Sequence, residues 1–390
     1  MPALVVSGLP VHRKHISVDD LAADWFPCPD KAPAPEIARR YHEGKCILIT
    51  GAGGWIGSAL AKAVRQAAPH RLILLDHSEH DLSQAYRELV EESPSERSTL
   101  VPVLGDIGDE RLLHAIFRRY RPAIIYHLAA IKHVPLAESN PFAAIRNNAI
   151  GTYRLALAAQ HHGSAELIMV STDKAATPRS VMGVSKRVAE LVILSLSGQS
   201  TKLKAVRFGN VFGARGSAVP LFLRQISQGG PVTITHPEVQ RYFFSLQQAI
   251  GLVLSAACSA QTGGIFIPAY GRQIRIRELV ECLIRQAGFI PGREIPICFT
   301  GLQPGEKLSE DLLSSCEIAG APISDVLRSI NSPCTEAACL HRAIAQLEHC
   351  VEQFDFTSIL NILGEMVPEY QPSETLLASA AMQWLRPEVI

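Results

Sequence analysis

The stretch that most constrains this chain is residues 46–57, Cys-Ile-Leu-Ile-Thr-Gly-Ala-Gly-Gly-Trp-Ile-Gly. An apolar run leads into a cluster of glycines, and an alanine-rich helical pattern follows over residues 58–68. In such a turn Gly51 allows the sharp reversal, Gly54 lets the backbone approach a pyrophosphate, and Gly57 lets the helix pack on the strand. The helix then begins with free N–H groups and the positive end of its dipole facing the phosphates. The stretch predicts the strand, turn and helix of a dinucleotide-binding unit.

The second apolar run strengthens this prediction. It covers residues 72–75 and ends in Asp76, about twenty residues after the last glycine, where such folds bind the ribose hydroxyls. A carboxylate repels a 2′-phosphate, so Asp76 favours NAD over NADP, although His77 and Ser78 could accommodate the extra phosphate. The expected cofactor is therefore NAD or NADP, with NAD favoured.

The composition describes a folded globular protein without the charge pattern of a nucleic-acid binder. Of the 390 residues, 47% are apolar and 19% are charged, and 37 basic residues balance 37 acidic ones. The nine cysteines form no CxxC pair and no cluster with histidine, so we expect buried, reduced thiols and no metal site. No apolar run is long enough to span a bilayer, and the N-terminus lacks a signal-peptide pattern, so the expected location is cytoplasmic.

Apolar runs without polar alternation are separated by helical patterns, which indicates a parallel sheet covered on both faces. The runs cover residues 46–50, 72–75, 100–104, 123–128, 167–171 and 204–208, and the helical stretches lie near 56–68, 79–92, 109–120, 141–161 and 183–197. With right-handed crossovers they predict an α/β protein, a Rossmann-like doubly wound parallel sheet with a smaller C-terminal substrate-binding lobe. Ligands are expected at the carboxyl ends of the strands.

The pattern divides the chain into four parts. Residues 1–44 form a leader that is expected to wrap around the main domain, and residues 45–212 form the NAD(P)-binding Rossmann domain. Residues 213–335 form the substrate lobe, with some strands returning to the main sheet. Residues 336–390 form two amphipathic helices, within 336–364, and a loosely packed tail.

The predicted strand ends carry the polar and small residues that a ligand crevice needs. Asp106, followed by Ile107, could reach an adenine amino group, and a dinucleotide can lie beside the small residues Ala129 and Ala130. The next two ends are Ser171-Thr172-Asp173-Lys174 and Phe208-Gly209-Asn210. Each end alone is compatible with an ordinary cap or turn, and together they line one crevice.

Residues 182–186 raise the question of how a proton would move. In short-chain dehydrogenases a Ser or Thr is joined by a Tyr and by a Lys four residues later, one helical turn away. Lys186 occupies the lysine position, but Met182 stands at the tyrosine position and cannot give or take a proton. Either the chain is not a catalyst or another group moves the proton. The adjacent Asp173 and Lys174 could divide general acid and base work, or could be a surface ion pair worth under about 1 kcal/mol.

A series of motifs occurs along the chain in the order found in one family. They are Gly51-Ala52-Gly53-Gly54, Leu75-Asp76-His77-Ser78-Glu79, Gly105-Asp106-Ile107, Lys132-His133-Val134-Pro135-Leu136, Asn148-Ala149-Ile150-Gly151-Thr152, Ser171-Thr172-Asp173-Lys174-Ala175, Val181-Met182-Gly183-Val184-Ser185-Lys186-Arg187, Arg207-Phe208-Gly209-Asn210-Val211 and Pro304-Gly305-Glu306-Lys307. The chain resembles the nucleotide-sugar 4,6-dehydratases of the extended short-chain dehydrogenase/reductase family, in the polysaccharide-biosynthesis group of the UDP-N-acetylglucosamine type. In that group Met replaces the catalytic Tyr. The resemblance covers about residues 16–373.

The resemblance implies a three-step reaction on a UDP-sugar. Hydride moves from carbon 4 to the nicotinamide, water is eliminated across carbons 5 and 6, and the hydride returns to carbon 6. By the family's pattern Lys174 is the base at carbon 5 and Asp173 is the acid at carbon 6. Thr172 would bond the carbon 4 oxygen, and Lys186 would orient the nicotinamide ribose. To accept a proton Lys174 must be neutral for part of the time, and burial beside the cationic nicotinamide would help by disfavouring its charged form.

The motifs and the resemblance together give the expected binding residues. For the cofactor these are Gly51, Gly53, Gly54, Trp55, Ile56, Gly57, Asp76, His77, Ser78, Asp106, Ile107, Ala129, Ala130, Lys132, Asn148, Ser171, Lys186 and Phe208. For the substrate they are Lys132, His133, Asn210, Val219, Arg241, Gln303 and Glu306. A homo-oligomer, a dimer or larger, is expected.

The chain also departs from the family. Trp55 lies in the glycine turn at a usually small polar position, Ala59 replaces a usual Glu, and Gln303 stands where an Arg usually helps to hold the UDP diphosphate. Many members carry a membrane-spanning region before the catalytic domain, and this chain is expected to be a soluble, stand-alone version.

Two other functions stay open on the sequence. A UDP-sugar 4-epimerase or reductase would need hydride transfer at carbon 4 but no acid at carbon 6, so Asp173 and Lys174 argue against it. A catalytically silent NAD(P)-binding scaffold is suggested by Met182 and Gln303.

Overall fold

The computed structural model describes residues 33–198 and 200–381 of the chain. Most of the predicted leader, residues 1–32, lies outside the described residues, as do residue 199 and the end of the predicted tail, 382–390.

The secondary structure alternates strands and helices as the sequence predicts. The strands are β1 (Cys46–Thr50), β2 (Arg71–Asp76), β3 (Leu100–Leu104), β4 (Ile124–His127), β5 (Glu166–Thr172), β6 (Lys202–Phe208), β7 (Asn210–Val211), β8 (Val232–Ile234), β9 (Gln240–Phe244), β10 (Gly263–Pro268), β11 (Gln273–Arg275), β12 (Ile297–Phe299), β13 (Ile318–Pro322) and β14 (Leu327–Asn331). The helices are α1 (Pro35–His42), α2 (Trp55–Arg65), α3 (Glu79–Glu92), α4 (Glu110–Tyr120), α5 (Val134–Ser139), α6 (Pro141–Ile145), α7 (Thr152–His161), α8 (Val181–Ser195), α9 (Ala218–Ser227), α10 (Leu246–Cys258), α11 (Ile276–Gln286), α12 (Ala337–Glu352), α13 (Phe356–Met366) and α14 (Glu374–Ala381).

The main sheet has nine strands in the order β13-β14-β10-β6-β5-β4-β1-β2-β3. Strands β1 to β6 and β10 run parallel, and β13 and β14 add an antiparallel edge. The strand order reverses between β1 and β4, which is the point where open α/β sheets bind ligands. The predicted Rossmann-like doubly wound sheet is confirmed.

The apolar strands form two hydrophobic layers, one on each face of this sheet. Along β1, Leu48 packs into one layer, and Ile47 and Ile49 pack into the other, because neighbouring side chains in a strand point to opposite faces. All three are fully buried, as expected for a sheet covered on both sides. The edge strand β3 differs, since Leu104 is exposed there.

A smaller lobe follows the sixth parallel strand. Its own core lies between α9 and α11 and includes Val219, Phe222 and Leu279. Two small sheets belong to this part of the chain, β11-β9-β7 and β12-β8. Strand β10 leaves the lobe and pairs in parallel with β6, so the lobe is tied to the main sheet beside β5 and β6.

The structure corrects three predictions. The helix expected over 141–161 is interrupted by a π-helical turn, Arg146–Gly151, between α6 and α7. Part of the tail expected to pack loosely forms α14, where Leu376 is buried. The cysteines expected to be buried include exposed ones, namely Cys298, Cys316 and Cys334. In the described part of the chain, no helix is both long and apolar enough to cross a bilayer.

Candidate active site

The turn after β1 has the close backbone packing that its glycines predict. Gly51 has a φ of +68°, and a Cβ there would lie 2.6 Å from the backbone nitrogen of Ala129. A Cβ on Gly57 would lie 2.0 Å from the carbonyl oxygen of Gly51. No side chain fits at either position without moving backbone. Gly54 is exposed at the start of α2, so the cradle is open at the point where a pyrophosphate would approach.

Asp76 braces this turn from the end of β2. Its Oδ2 accepts a hydrogen bond of 2.9 Å from the backbone nitrogen of Gly53, and its Oδ1 accepts one of 2.9 Å from Ser78. The exposed ring of His77 lies 3.6 Å from the same carboxylate. Ser78 also caps α3 through a bond from Asp81. The carboxylate therefore shapes the turn as well as standing where the ribose is expected.

The other predicted cofactor residues differ in how far they are exposed to solvent. Trp55 and Ile56 are half-buried at the start of α2, and Asp106 is exposed and accepts a 2.6 Å bond from Gly108. Ala129 and Ala130 follow β4 at the opening. Residues within the protein interior are Ile107, Asn148, Ser171 and Phe208.

Asn148 supports the loop after β4 through buried hydrogen bonds. It is fully buried, accepts a bond from the backbone nitrogen of Ile131, and donates to the carbonyl of Ile131 and to Ser185. These bonds fasten the loop after β4 to α8. The structure places Asn148 as a support for the loop.

The sharp turn after β5 brings Asp173 and Lys174 together. Thr172 ends the strand, and its hydroxyl accepts a bond from the backbone nitrogen of Lys174 and donates one of 3.0 Å to Asp173 Oδ1. Lys174 Nζ lies 3.0 Å from Asp173 Oδ1 and 3.2 Å from Asn210 Oδ1. Asp173 is 0% exposed and the Lys174 side chain 18% exposed, so this pair is not a surface ion pair. Of these two side chains, Lys174 is the one with surface exposed to solvent.

Two further charged side chains complete this group, and neither was among the predicted site residues, although Lys307 belongs to one of the motifs. Glu310 is buried and lies 3.7 Å from Lys174 Nζ and 3.6 Å from Lys307 Nζ. We call Asp173, Lys174, Lys307 and Glu310 the acid–base cluster. Three of its buried atoms, Asp173 Oδ2, Lys307 Nζ and Glu310 Oε2, have no hydrogen-bond partner in the described part of the chain. One sequence feature could have pointed to Glu310: it follows Lys307, the last residue of the Pro-Gly-Glu-Lys motif, by three residues.

Burial and the neighbouring carboxylates act in opposite directions on the charge of Lys174. Burial opposes its charged form, but Asp173 and Glu310 outweigh burial and raise the pKa of Lys174. Burial and the charge of Asp173 raise the pKa of Glu310, against the effect of the neighbouring cations. The neighbouring carboxylates therefore favour the ammonium form of Lys174, and the expected effect of the cationic nicotinamide on its charge stays a prediction.

Helix α8 places Met182 and Lys186 one turn apart beside this cluster. Ser180 caps the helix, and a Cβ on Gly183 would lie 2.5 Å from the Lys174 carbonyl oxygen, so this glycine allows the close approach. Burial lowers the pKa of Lys186 to about 8, although Glu190 partly opposes the shift. Among the described residues Lys186 has no hydrogen-bond partner and Met182 is buried in the core.

His127, at the end of β4, was also missed by sequence reasoning. Its ring bonds to the hydroxyls of Thr50 and Thr152, which joins β1 and α7 beneath the crevice. Burial, helped by the charge of Lys186, lowers the pKa of His127 to about 3, so the ring is neutral.

A second group of buried charges lies behind the strand that carries Thr172. Arg207 donates five hydrogen bonds, to Glu190, Glu317 and the carbonyl of Leu312, and is fully buried. Arg187 pairs with both of these glutamates. We call Arg187, Glu190, Arg207 and Glu317 the arginine network. Ser171 donates a 2.7 Å bond to Glu190, which connects the network to the strand end.

The predicted substrate residues fall into two sets. Arg241 lies 3.0 Å from Glu306, whose oxygens also accept bonds from Thr235 and from the backbone of Gln303. Gln303 is exposed, and Val219 is buried in the lobe core. The other predicted residues are Lys132 and His133, which are exposed after β4, and Asn210, whose Oδ1 lies 3.2 Å from Lys174 Nζ. The turn at Gly305 packs on Ser180, which brings the two parts of the chain together.

Comparison with known proteins identifies the family. The polysaccharide biosynthesis protein family matches residues 47–327. The chain belongs to this family. It is 45% identical over 276 residues to the capsular polysaccharide biosynthesis protein CapD of Staphylococcus aureus, a match that covers 70% of this chain and 46% of that protein. The chain thus spans about half the length of that relative.

Other similar proteins include an epimerase and solved structures. A UDP-glucose 4-epimerase of Rickettsia akari is 37% identical over 220 residues, which covers 55% of this chain and 63% of the epimerase. The structure of Pen from Bacillus thuringiensis is 30% identical with a TM-score of 0.66, covering 75% of this chain and 87% of Pen. DesIV, a dTDP-glucose 4,6-dehydratase from Streptomyces venezuelae with NAD and TYD bound, is 22% identical with a TM-score of 0.59, covering 69% and 88%. The likeness to DesIV shows the shared fold.

Proposed function

We propose that the chain is an NAD(P)-dependent nucleotide-sugar 4,6-dehydratase that converts UDP-N-acetylglucosamine, or a close UDP-sugar, to its 4-keto-6-deoxy product. The observation that carries this proposal is the acid–base cluster at the end of β5, where a carboxylate and an ammonium group lie 3.0 Å apart with little access to solvent. An epimerase has no use for an acid at carbon 6, whereas elimination of water needs one.

The residues at the opening can divide the reaction between them. A bound nicotinamide dinucleotide would supply the hydride acceptor and donor, and Lys186, a buried lysine whose pKa burial lowers to about 8, would bond its ribose. Thr172 bonds the carbon 4 oxygen, Lys174 removes the carbon 5 proton, and Asp173 protonates the leaving carbon 6 hydroxyl. Because Asp173 has no exposed surface, its use requires neighbouring groups to move.

The binding groups suit a UDP-sugar. Arg241, Lys132 and His133 supply positive charge or hydrogen-bond donors around the opening, which a diphosphate requires. Gln303 offers a neutral amide at the position where an Arg is usual, so weaker binding of the diphosphate follows. The homo-oligomer and the cytoplasmic location stay predictions from the sequence.

A UDP-sugar 4-epimerase is the second candidate, because the Rickettsia akari relative carries that name at 37% identity. Mass spectrometry and proton NMR of UDP-N-acetylglucosamine incubated with the protein and NAD separate the alternatives, since the mass reports loss of water and the NMR couplings report the configuration at carbon 4. We expect a product that has lost one water. A product of unchanged mass with inverted carbon 4 would support the epimerase, and unchanged sugar with bound cofactor would support a silent scaffold.

The cofactor preference has its own test. We expect the protein to bind NAD more tightly than NADP, since the Asp76 carboxylate repels a 2′-phosphate. Asp76→Asn removes the charge with little change of shape. In titrations with the two dinucleotides, it should reduce the difference between the affinities for NAD and NADP. Tighter binding of NADP by the unmodified protein would contradict the assignment.

A further inference from the structure

The parallel strands begin along the edge of the sheet that lies opposite the candidate active site. Asp76 and Thr172 lie where β2 and β5 end, at the carboxyl edge. Strands β2, β1, β4, β5 and β6 are neighbours and run in the same direction, so the segments before them lie side by side at the other edge. With neighbouring strands about 4.8 Å apart, this amino edge extends over roughly 19 Å.

Basic side chains are concentrated at this amino edge. Arg71 is the first residue of β2, Lys45 directly precedes β1, and Lys202 is the first residue of β6. The backbone nitrogen of Arg71 bonds to the carbonyl of Lys45, so these two residues are neighbours across the sheet. Three arginines lie at the end of α4, just before β4. We call the whole set the basic edge, which consists of Lys45, Arg71, Arg118, Arg119, Arg121 and Lys202. Lys45 and Arg71 are half-buried, and the other four are exposed.

The carboxylates near these segments do not neutralise the basic edge. Glu43 pairs with Arg39 at 3.1 Å, and the buried Glu166 pairs with Lys204 and accepts a bond from Tyr41. Within the ranges 33–198 and 200–381, no ion pair joins a carboxylate to a residue of the basic edge. The whole chain has 37 basic and 37 acidic residues, so this edge carries a local excess of positive charge on a protein without net charge.

Part of this charge has a local structural role. Arg118 and Arg119 lie in the last turn of α4, where cations stabilise the negative end of a helix dipole, and Lys45 donates to the carbonyl of Tyr41 near the end of α1. Lys202, in contrast, begins a strand and is not in the last turn of a helix. Stabilisation of helix ends therefore does not account for the whole row of cations.

We propose that the basic edge is a docking surface for an anionic lipid bilayer. A bilayer carries its negative charge across a plane, so it can engage a row of cations that converge on no pocket. Single-stranded nucleic acid fits less well, because it stacks on free aromatic rings. Tyr120, between two of these arginines in the sequence, packs on the core and lies beneath Arg71 and Arg119. Docking by the amino edge leaves the candidate active site, at the carboxyl edge, facing away from the lipid.

The test is cosedimentation of the full chain with vesicles of phosphatidylcholine alone or of an equal mixture of phosphatidylcholine and phosphatidylserine. One variant neutralises three exposed cations of the basic edge by combining Arg118→Gln, Arg121→Gln and Lys202→Gln. The matched control changes the net charge equally at three exposed arginines of the lobe by combining Arg275→Gln, Arg277→Gln and Arg285→Gln. Circular dichroism checks that each variant is folded, and no readout depends on dehydration.

We expect the unmodified protein to bind the mixed vesicles and not the neutral ones, and to bind less as added salt screens the charges. Each cation beside an anionic membrane contributes about fivefold in affinity, so the variant of the basic edge should bind about 10²-fold more weakly. The control should bind like the unmodified protein.

Three results would overturn the proposal. One is absence of binding to the mixed vesicles, and another is equal weakening in the control, which would show an effect of net charge alone. The third is vesicle binding that the variant of the basic edge keeps in full. An oligonucleotide that binds through these cations, while the mixed vesicles do not, would assign the edge to nucleic acid instead.

Discussion

Two groups of buried charges lie close together in this protein and differ in how completely they are hydrogen-bonded. In the arginine network, Arg207 uses all five of its N–H donors, at distances of 2.5–3.0 Å. Arg187 Nε has no hydrogen bond among the described residues, but it lies 3.4 Å from the carboxylate of Glu369. In the acid–base cluster, Asp173, Lys307 and Glu310 each keep a buried polar atom without a hydrogen bond in the described part of the chain, and Lys307 Nζ and Glu310 Oε2 form an ion pair at 3.6 Å. The two groups are connected through the short segment from Ser171 to Asp173.

The difference separates a structural role from a chemical one. Buried charges are tolerated when their hydrogen bonds are satisfied, and an unsatisfied one costs about 1–3 kcal/mol or more. The arginine network satisfies its central guanidinium and joins α8, β6 and the loop before β13. The acid–base cluster keeps unsatisfied atoms at a crevice, where a ligand can supply the missing partners. Burial alone would not distinguish the two.

The largest expected effect comes from Asp173→Asn. An amide keeps the acceptor for Lys174 but cannot donate a catalytic proton, so loss of water should slow by about 10²–10⁴-fold. Oxidation at carbon 4 should persist. Absorbance of the reduced cofactor measures the first step, and the mass of the sugar measures the second. Near-normal dehydration would remove Asp173 from the chemistry.

Arg207→Met should act on stability and not on chemistry. It leaves Glu190 and Glu317 buried without their main partner, and breaking such a pair costs about 3–5 kcal/mol. Urea denaturation measures the loss, and dehydration should be compared per folded molecule. A small change in the free energy of unfolding would show that the network contributes little to the fold.

The two groups should also give opposite pH dependences of stability. Burial opposes ionisation of Glu317, but Arg207 and Arg187 outweigh it and lower its pKa from 4.5 to about 2. Its stabilisation, roughly 3 kcal/mol, is complete above the unfolded pKa and is lost as the pH falls toward the folded one. The raised pKa of Glu310 has the reverse sign, so its favourable contribution is lost as the pH rises through the folded value.

Glu317→Gln and Glu310→Gln test these signs separately. In urea denaturation at a series of pH values, Glu317→Gln should flatten the loss of stability in acid. Glu310→Gln should raise stability relative to the unmodified protein near neutral pH. If both substitutions shift stability in the same direction at neutral pH, the proposed contrast between the groups is wrong.

The smallest effect is expected from a glycine beside the cluster. A Cβ on Gly209 would lie 2.6 Å from the Tyr242 carbonyl oxygen and 3.0 Å from Asp173 Oδ2. Gly209→Ala should cost about 1–3 kcal/mol and slow dehydration by displacing Asp173. Gly364→Ala is the control, because Gly364 lies in α13 with open space around its Cβ position. It should stabilise by up to about 1 kcal/mol without changing activity.

The sequence predicted the parallel part of the sheet because its strands are continuous apolar runs. Each run ends at glycine or charged residues, which mark the turns. It did not predict β13, whose Ile-Ala-Gly-Ala-Pro sequence lacks a strand pattern and forms only at an edge through pairing with β14. The break in the helix over 141–161 was hidden for a similar reason, since the π-helical turn carries no glycine or proline signal at its start.

Only the part of the candidate site that lies within one short stretch of sequence could be predicted. Thr172, Asp173 and Lys174 are consecutive, and the turn that joins them follows from the end of the strand. Glu310 reaches Lys174 from a loop more than a hundred residues later, and no local pattern gives that contact. Asp173 and, to a smaller extent, Glu310 outweigh burial and raise the pKa of Lys174, so its charge state could not be inferred from burial alone.

The most direct test of the central claim is deuterium incorporation at carbon 5 in Lys174→Met, measured alongside Arg207→Met. UDP-N-acetylglucosamine is incubated in deuterated water, and incorporation is determined by mass spectrometry per folded molecule. We predict that Lys174→Met lowers incorporation by about 10²–10⁴-fold while Arg207→Met leaves it near the level of the unmodified protein. Normal incorporation by Lys174→Met would contradict the account.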